Sequence, residues 1–174
     1  DVYKRQDFNL PLISFIDTPG AYPGIESEER GMSEAIAKNL SLLSNLKTPV
    51  IVIITGEGGS GGALAIGIGD HVCMLEHSIY AVASPEACAS IVWRDGSKAK
   101  DAAEAMKVDA NSLEKFGLVD EVVKEPLGGA HRDLRGASNS ISQVIEEKLS
   151  AFDEMEISDL LNKRYKKIMS YGSI

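Results

Sequence analysis

The stretch Thr55-Gly56-Glu57-Gly58-Gly59-Ser60-Gly61-Gly62-Ala63-Leu64 follows directly on the apolar run at residues 50–54. Where a strand gives way to a helix, several backbone N–H groups lack internal partners, and glycine removes the Cβ that would keep a ligand oxygen at a distance. This glycine segment is therefore predicted to stabilise a developing negative charge with main-chain donors.

Outside the glycine segment, the apolar runs indicate a parallel sheet. Residues 12–16 and 50–54 are nearly continuous in Ile and Val, the pattern of strands covered on both faces. Between them, apolar residues spaced by three and four predict a helix that Ser27 caps and that ends before Pro49. Together these three elements predict a βαβ unit.

Downstream, the predicted elements come too close together for regular strand-helix alternation. Two short strands and then a helix opened by Pro85 fit an α/β spiral of repeating strand-strand-helix units better than a doubly wound sheet. Ser112 is expected to cap a short helix. The predicted elements are strands at 72–75, 79–84 and 119–123, and helices at 85–93, 99–106, 141–152 and 158–171.

Composition narrows the class of protein. The 174 residues carry a net charge of −8 with 44% hydrophobic residues, which predicts one globular domain and argues against a nucleic-acid surface. Cys73 and Cys88 are isolated, so neither a disulfide nor a metal site is expected in this chain, and no apolar run is long enough to span a bilayer. We expect a soluble, intracellular protein.

The opening of the chain has a different character. Residues 1–6 are polar and patternless, and they are interpreted as a possible non-native junction ahead of a domain at 7–174. The chain does not begin with Met, which suggests that a longer protein has lost its front part.

Two familiar motifs overlap in the glycine segment. Gly56, Gly58 and Gly61 satisfy the dinucleotide-binding pattern GxGxxG, but Gly67 and the residues after it stop the following helix too early for that fold. The pattern GxSxG, centred on Ser60, is typical of serine hydrolases.

A serine nucleophile also needs a base and an acid to orient it. In hydrolases with this motif, the acid and then the base follow the serine along the chain. That order leaves His131 as the candidate for the base, with Asp120 as one candidate for the acid. A serine hydrolase that uses Ser60 is therefore the competing enzyme class.

A second loop is predicted to face the glycine segment. The strand at 12–16 ends in Asp17-Thr18-Pro19-Gly20-Ala21-Tyr22-Pro23-Gly24, where two Pro-Gly pairs stiffen the carboxyl end of a parallel strand. Amides near Gly20 and Ala21 could face those of Gly61 to Ala63. Two sets of donors that converge on one oxygen make an oxyanion site.

The chain resembles the α subunit of the bacterial acetyl-coenzyme A carboxylase carboxyltransferase over about residues 7–174. The resemblance rests on residues 15–24 and 56–65, which contain most of the two segments above, and on four further motifs in the same order. These are Glu28-Glu29-Arg30-Gly31, Ser84-Pro85-Glu86, residues 125–132 (Glu-Pro-Leu-Gly-Gly-Ala-His-Arg) and the terminal Met169-Ser170-Tyr171-Gly172.

The resemblance implies a crotonase-like α/β fold with C-terminal helices. It also implies transfer of a carboxyl group from carboxybiotin to acetyl-coenzyme A, which gives malonyl-coenzyme A for fatty acid biosynthesis. The N–H groups of Gly62 and Ala63, with Gly61 beside them, would stabilise the charge on the ureido oxygen. We expect the substrate-binding positions to be Pro19, Gly20, Ala21, Tyr22, Gly58, Gly59 and Ser60.

The resemblance also implies partners. A zinc-containing β subunit would complete the site in an α2β2 complex, with a biotin carboxyl carrier protein delivering carboxybiotin and a biotin carboxylase charging it. On this resemblance we expect the biotin to be carried by the carrier protein rather than by this chain, and the metal to lie in the β subunit. The family is cytoplasmic in bacteria, and plant and algal relatives lie in the plastid stroma.

Several alternatives remain open. An inactive scaffold would keep the core and bind partners only, and a hydratase of coenzyme A esters would need paired carboxylates such as Glu57 and Glu86. No role follows for His131. Basic side chains could contact coenzyme A phosphates or the acidic carrier, although charged helix faces are usually just solvated; the candidates are Lys98, Lys100, Arg132, Lys163, Arg164, Lys166 and Lys167.

Overall fold

A computed structural model describes residues 2–172. Within that span the strands are β1 (Leu12–Thr18), β2 (Val50–Gly59), β3 (His71–Leu75), β4 (Ile79–Ala81) and β5 (Glu121–Val123). The helices are α1 (Val2–Asp7), α2 (Ile25–Glu29), α3 (Met32–Asn45), α4 (Ser60–Leu64), α5 (Pro85–Trp93), α6 (Ala99–Met106), α7 (Ala110–Lys115), α8 (Leu134–Asp153) and α9 (Ile157–Ser170).

One parallel sheet organises these elements. Its strand order is β1-β2-β3-β5, and β4 pairs with the distal end of β2. Alternate residues of β2 enter two separate cores, because successive side chains of a strand point to opposite faces. Val50, Val52 and Ile54 pack with α3 and α7, whereas Ile51 and Ile53 pack with α8. The predicted parallel sheet is confirmed.

The two-sided burial predicted for both apolar runs holds for β2 only. Every residue of β2 from Val50 to Ile54 is 0% exposed. In β1, Ile16 is equally buried but Phe15 is 55% exposed, so that prediction was wrong for this strand. The reason is position, since β1 lies at the end of the strand order and β2 lies inside it.

Two predicted helix caps were wrong. Ser27 lies inside α2, and Gly31, with φ of +78°, separates α2 from α3 and stands at the N-terminus of α3. Ser112 lies within α7, where its N–H donates to Asp109 Oδ1 at 3.0 Å, so Asp109 is the capping residue. The left-handed backbone of Gly31 thus marks the start of α3, whereas the carboxylate of Asp109 caps α7.

Other boundaries differ in length. α5 spans the predicted 85–93, and the Ser84 hydroxyl caps it by accepting from the Ala87 N–H. β4 ends at Ala81 rather than at residue 84, and α8 begins at Leu134, well before the predicted 141, with Asp133 accepting from the Gly136 N–H. No helix of the described residues is long and apolar enough to cross a membrane.

Candidate functional site

A bulge in β2 positions the glycine segment. Ile16 pairs with Ile54, but the next registered pair is Thr18 with Gly58, so Asp17 stands opposite the three residues 55–57. The Asp17 Oδ1 accepts a hydrogen bond from the Glu57 N–H at 3.0 Å, and the Thr55 hydroxyl donates to the Ile16 carbonyl at 3.3 Å. The bulge is thus held from the β1 side by polar contacts.

Beyond the bulge, the backbone of the 17–24 loop packs directly against the glycine segment. A Cβ on Gly59 would lie 2.9 Å from the Thr18 carbonyl oxygen. A Cβ on Gly62 would lie 2.7 Å from the Gly20 carbonyl carbon and 2.9 Å from the Ala21 nitrogen. Only glycine permits so close an approach of two backbones. The predicted meeting of the two loops is confirmed.

The N-terminus of α4 presents main-chain donors. Gly59 precedes the helix and makes no side-chain cap. An α-helix that begins at Ser60 leaves the N–H groups of Ser60, Gly61 and Gly62 without an intrahelical acceptor. The N–H of Ala63 is the first with such an acceptor, the Gly59 carbonyl. Three donors at this turn are therefore available to a ligand.

On the facing loop, the two candidate donors differ. The Gly20 N–H donates to Thr18 Oγ1 at 3.2 Å, so it already has a partner inside the loop. The Ala21 N–H has no hydrogen-bond partner among the described residues. Ala21, rather than Gly20, thus adds a donor next to Gly62.

A cavity of about 530 Å³ opens beside α4. Its lining includes Ser60 and Gly61 of α4, Ile168 of α9 and Tyr171, which follows α9. Its walls are mostly apolar, a property typical of pockets for small molecules. The remaining lining residues are Leu64, Gly67, Ile68, Gly69, Val72, Tyr80, Ala81, Val82, Leu113 and Leu118.

Two tyrosines contribute phenol groups to the cavity lining. Burial raises the pKa of Tyr80, and burial together with the Asp120 carboxylate and Tyr80 raises the pKa of Tyr171 to about 12. Both phenols are therefore protonated at neutral pH and remain hydrogen-bond donors. A negatively charged or polar group in the cavity is therefore not repelled by a phenolate from either tyrosine.

Of the predicted substrate-binding residues, Ser60 lines the cavity, and the others lie outside its lining. Ser60 is exposed and has φ of +49°, an uncommon conformation for a residue other than glycine. Tyr22 is 72% exposed, and its ring folds over Gly24. Gly58 sits inside the sheet, where a Cβ would lie 2.8 Å from Tyr80 Cδ2. Pro19 contributes its carbonyl to the contact with Gly59.

The structure does not assemble a hydrolase triad around Ser60. His71 Nε2 lies 3.0 Å from Glu121 Oε2 at the amino ends of β3 and β5, the edge of the sheet opposite to α4. His131 packs against Gly129, and the His77 N–H donates to Glu125. No hydrogen bond among residues 2–172 links Ser60 to a histidine.

Two of the basic candidates have structural partners. Arg164 is 1% exposed and bonds to Asp70 and to three backbone carbonyls, so it is closed to an external phosphate. Lys167 pairs with Asp120. Lys98 lies 6.0 Å from the centre of the Trp93 ring. The sequence showed a basic helix face, but the acidic partners lie far away along the chain.

Asp17 accepts the hydrogen bond from the Glu57 N–H in the bulge, a contact that the sequence analysis did not assign to it. Its place directly after an apolar strand and before Thr-Pro-Gly is a signal, since such positions line the carboxyl edge of a parallel sheet. What the sequence does not show is the bulge opposite it, because that depends on pairing with a strand about 40 residues away.

Comparison with known proteins adds a family. A family model described as acetyl co-enzyme A carboxylase carboxyltransferase-like matches residues 3–172. The chain is 56% identical to the acetyl-coenzyme A carboxylase carboxyl transferase subunit alpha of Alcanivorax borkumensis over 96% of its length. It is 55% identical to that subunit of Vibrio cholerae over 95%. It spans about half, 52%, of the length of each of these relatives.

Solved structures are similar as well. Transcarboxylase 12S, determined with methylmalonyl-coenzyme A bound, matches with a TM-score of 0.64 and 26% identity over 71% of this chain and 26% of that chain. A Pseudomonas malonate decarboxylase hetero-tetramer in complex with coenzyme A matches with a TM-score of 0.75 and 18% identity, over 94% and 66% of the two chains.

An enoyl-CoA hydratase/isomerase from Marinobacter aquaeolei matches with a TM-score of 0.58 and 13% identity, over 99% of this chain and 71% of that chain. At such low identity, this structure and the decarboxylase bear on the fold alone. Together the structural similarities confirm the predicted crotonase-like α/β fold.

Proposed function

Because this chain belongs to the acetyl-coenzyme A carboxylase carboxyltransferase-like family, we propose that it provides the carboxybiotin side of a carboxyltransferase site. The reaction moves the carboxyl group from carboxybiotin on a carrier protein to acetyl-coenzyme A and forms malonyl-coenzyme A for fatty acid biosynthesis. The observation that carries this proposal is the packing of Gly62 against Ala21, which sets two groups of backbone N–H donors side by side.

The donors stabilise charge that grows during the reaction. Carboxybiotin supplies the carboxyl group and, once that group has left, a ureido nitrogen basic enough to take a proton from the acetyl methyl group. The chain's own contribution is to donate hydrogen bonds to the ureido oxygen. Fixed donors act most strongly on the transition state, where the negative charge on that oxygen is greatest.

Among the three catalytic donors proposed from the family, Gly61 and Gly62 have no intrahelical acceptor, and Ala63 shares its N–H with the helix. The Ala21 N–H, which has no partner within residues 2–172, adds a donor from the facing loop. This arrangement needs no side-chain base and no side-chain nucleophile. It supports charge stabilisation as the task of this chain.

The cavity beside α4 suits a compact ring system. Its volume of about 530 Å³ falls in the range typical of small-molecule sites, and its walls are mostly apolar. Ser60 and Gly61 belong to the cavity lining, so a ring that enters it can place a polar edge against the helix donors. Because the phenols of Tyr80 and Tyr171 are neutral, they do not repel negative charge on that edge of the ring.

A second subunit is part of the proposal. The curated relatives are named as alpha subunits, and the similar malonate decarboxylase is a hetero-tetramer. We infer that a zinc-containing β subunit binds acetyl-coenzyme A and completes the site in an α2β2 complex, with biotin carboxylase and the carrier protein as further partners. The bacterial relatives favour the cytoplasm as the place of action.

The test combines this chain with a bacterial β subunit, acetyl-coenzyme A and carboxylated carrier protein. We expect malonyl-coenzyme A. Gly62→Ala keeps its N–H, but the added Cβ would lie 2.7 to 2.9 Å from backbone atoms of Gly20 and Ala21 and displace the donors, so we expect a loss of rate up to the about 10²- to 10³-fold that the loss of one oxyanion donor costs. Titration of the ¹⁵N-labelled chain with biocytin should move the amide signals of Ala21, Gly61 and Gly62. Unmoved signals would contradict the proposed site, and a chain that binds biocytin without turnover would favour the inactive scaffold.

Experiments on Ser60 distinguish the proposed carboxyltransferase from the hydrolase alternative. If backbone donors stabilise the charge on the ureido oxygen, Ser60→Ala should keep most of the carboxyl-transfer activity, and fluorophosphonate probes should leave the chain unlabelled. Loss of a serine nucleophile would instead remove nearly all activity. Covalent labelling of Ser60 would therefore support the hydrolase.

A further inference from the structure

The glycine segment owes its direction to the bulge in β2. Between the pairs Ile16 with Ile54 and Thr18 with Gly58, β2 contains two more residues than β1. Without those extra residues, Gly58 would not pair with Thr18, and the turn into α4 would begin at a different position relative to β1. The bulge therefore decides which backbone atoms meet the 17–24 loop.

The Asp17 side chain provides a hydrogen-bond acceptor for a backbone N–H in the bulge. The Glu57 N–H donates to Asp17 Oδ1 at 3.0 Å, across 40 residues of sequence. The carboxylate also lies against the α-carbon of Gly56, where a Cβ would be 2.8 Å from Asp17 Cγ. Asp17 thus supplies the acceptor that a regular strand partner would have provided.

From these contacts we propose that Asp17 is a positioning residue for carboxyl transfer, which rests on the function proposed above. Its carboxylate holds residues 55–57 in the bulge, and so it fixes the donors of Gly61 and Gly62 beside Ala21. The role requires an acceptor oxygen rather than a charge. A negative charge beside an anion-stabilising site is itself unfavourable, so the neutral amide is the informative replacement.

The experiment compares variants in the complex with the β subunit. Asp17→Ala should lower kcat about 10- to 100-fold with little change in KM for acetyl-coenzyme A, because displaced donors act in the transition state. Asp17→Asn keeps an acceptor oxygen and should recover most of kcat. Asp133→Ala is the matched control, since Asp133 is also exposed and accepts one backbone N–H, from Gly136 at 2.8 Å; it should leave kcat unchanged.

A double-mutant cycle tests the contact itself. Gly56→Ala should force the carboxylate off the Glu57 N–H and lower kcat about as much as Asp17→Ala does. In the Asp17→Ala background the new methyl group has room, so Gly56→Ala should add little, which is the non-additivity expected of residues in contact. Fully additive losses would overturn the proposal, as would equal losses in Asp17→Asn and Asp17→Ala.

A second measurement does not depend on activity. Hydrogen exchange of a peptide that covers residues 55–64 should quicken in Asp17→Ala and return toward the wild-type rate in Asp17→Asn. Unchanged exchange in Asp17→Ala would overturn the positioning role even if the complex makes malonyl-coenzyme A. If the wild-type complex makes none, the proposed function fails, and the exchange experiment still tests whether Asp17 holds the bulge.

Discussion

Arg164 and Asp70 form a two-pronged buried ion pair across 94 residues of sequence, with Nε 2.9 Å from Oδ1 and Nη2 2.6 Å from Oδ2. Their side chains are 0% and 3% exposed. The guanidinium also donates to the carbonyls of Leu43, Leu46 and Thr48 at 2.7 to 3.0 Å. The Leu43 carbonyl lies in the last turn of α3, where intrahelical donors run out, and Leu46 and Thr48 follow that helix. One side chain thus ties α9 to α3 and β2.

Replacing Arg164 should destabilise the fold strongly. Arg164→Met leaves the Asp70 carboxylate buried without its partner, which typically costs about 3–5 kcal/mol in the free energy of unfolding. Urea denaturation of the chain measures this cost. Lys163→Ala, at the exposed neighbouring position, is the control and should stay within about 0.5 kcal/mol of the wild type. A loss in Arg164→Met as small as that of the control would show that the pair contributes little.

Acid should weaken the fold through His71. Burial lowers the pKa of His71 below 6.5, and the nearby Asp120 and Glu121 carboxylates oppose this only in part. The unfolded chain therefore takes up the proton first, so the stability due to His71 is present above about pH 6.5 and is lost as pH falls through and below that value.

Urea midpoints measured at several pH values between about 7.5 and 5.5 would show this loss. In His71→Asn the midpoint should change less with pH over the same interval. The opposite sign, a midpoint that rises as the solution becomes acidic, would mean that the carboxylates outweigh burial and hold the imidazolium in the folded chain.

The strands and helices that carry a local sequence signal could be predicted from the sequence. The Ile and Val run of β2, the proline and hydroxyl at the start of α5 and the apolar spacing of α3 each carry their own signal. β2, however, continues to Gly59 through residues with poor strand propensity. Its extension depends on pairing with Thr18 and with β4, which no local pattern contains.

The same limit applies to the candidate site. The sequence predicted that the 17–24 loop and the glycine segment would meet, because carboxyl ends of parallel strands share one edge of a sheet. It did not predict that Thr18 Oγ1 would accept from the Gly20 N–H while the Ala21 N–H finds no acceptor in the described part of the chain. Such a choice depends on backbone angles within the loop, where Gly20 has φ of +134°.

The two cysteines should differ sharply in reactivity. Cys73 is 1% exposed, its thiol donates to the Val52 carbonyl at 3.4 Å, and burial raises its pKa to about 12. Because the thiolate is the reactive form, iodoacetamide should modify the partly exposed Cys88 in the folded chain and spare Cys73. Peptide mass spectrometry before and after urea treatment measures this, and equal labelling of both thiols in the folded chain would refute it.

Neighbouring glycines of α4 should respond oppositely to one methyl group. A Cβ on Gly62 meets backbone atoms of Gly20 and Ala21 at 2.7 to 2.9 Å, and two backbones cannot move apart without shifting the loop. A Cβ on Gly61 meets only Ile36 Cδ1, at 3.4 Å, which is an ordinary contact. Gly62→Ala should therefore lower the free energy of unfolding by about 1–3 kcal/mol, the usual cost of overpacking.

Gly61→Ala should be neutral or slightly stabilising, because alanine loses less backbone entropy than glycine when it enters a helix. Urea denaturation of the two variants beside the wild type provides the measurement, and each serves as the control for the other. Equal destabilisation by both would mean that α4 does not lie against the 17–24 loop on its Gly62 side. In that case the Ala21 and Gly62 donors would not share one ligand oxygen.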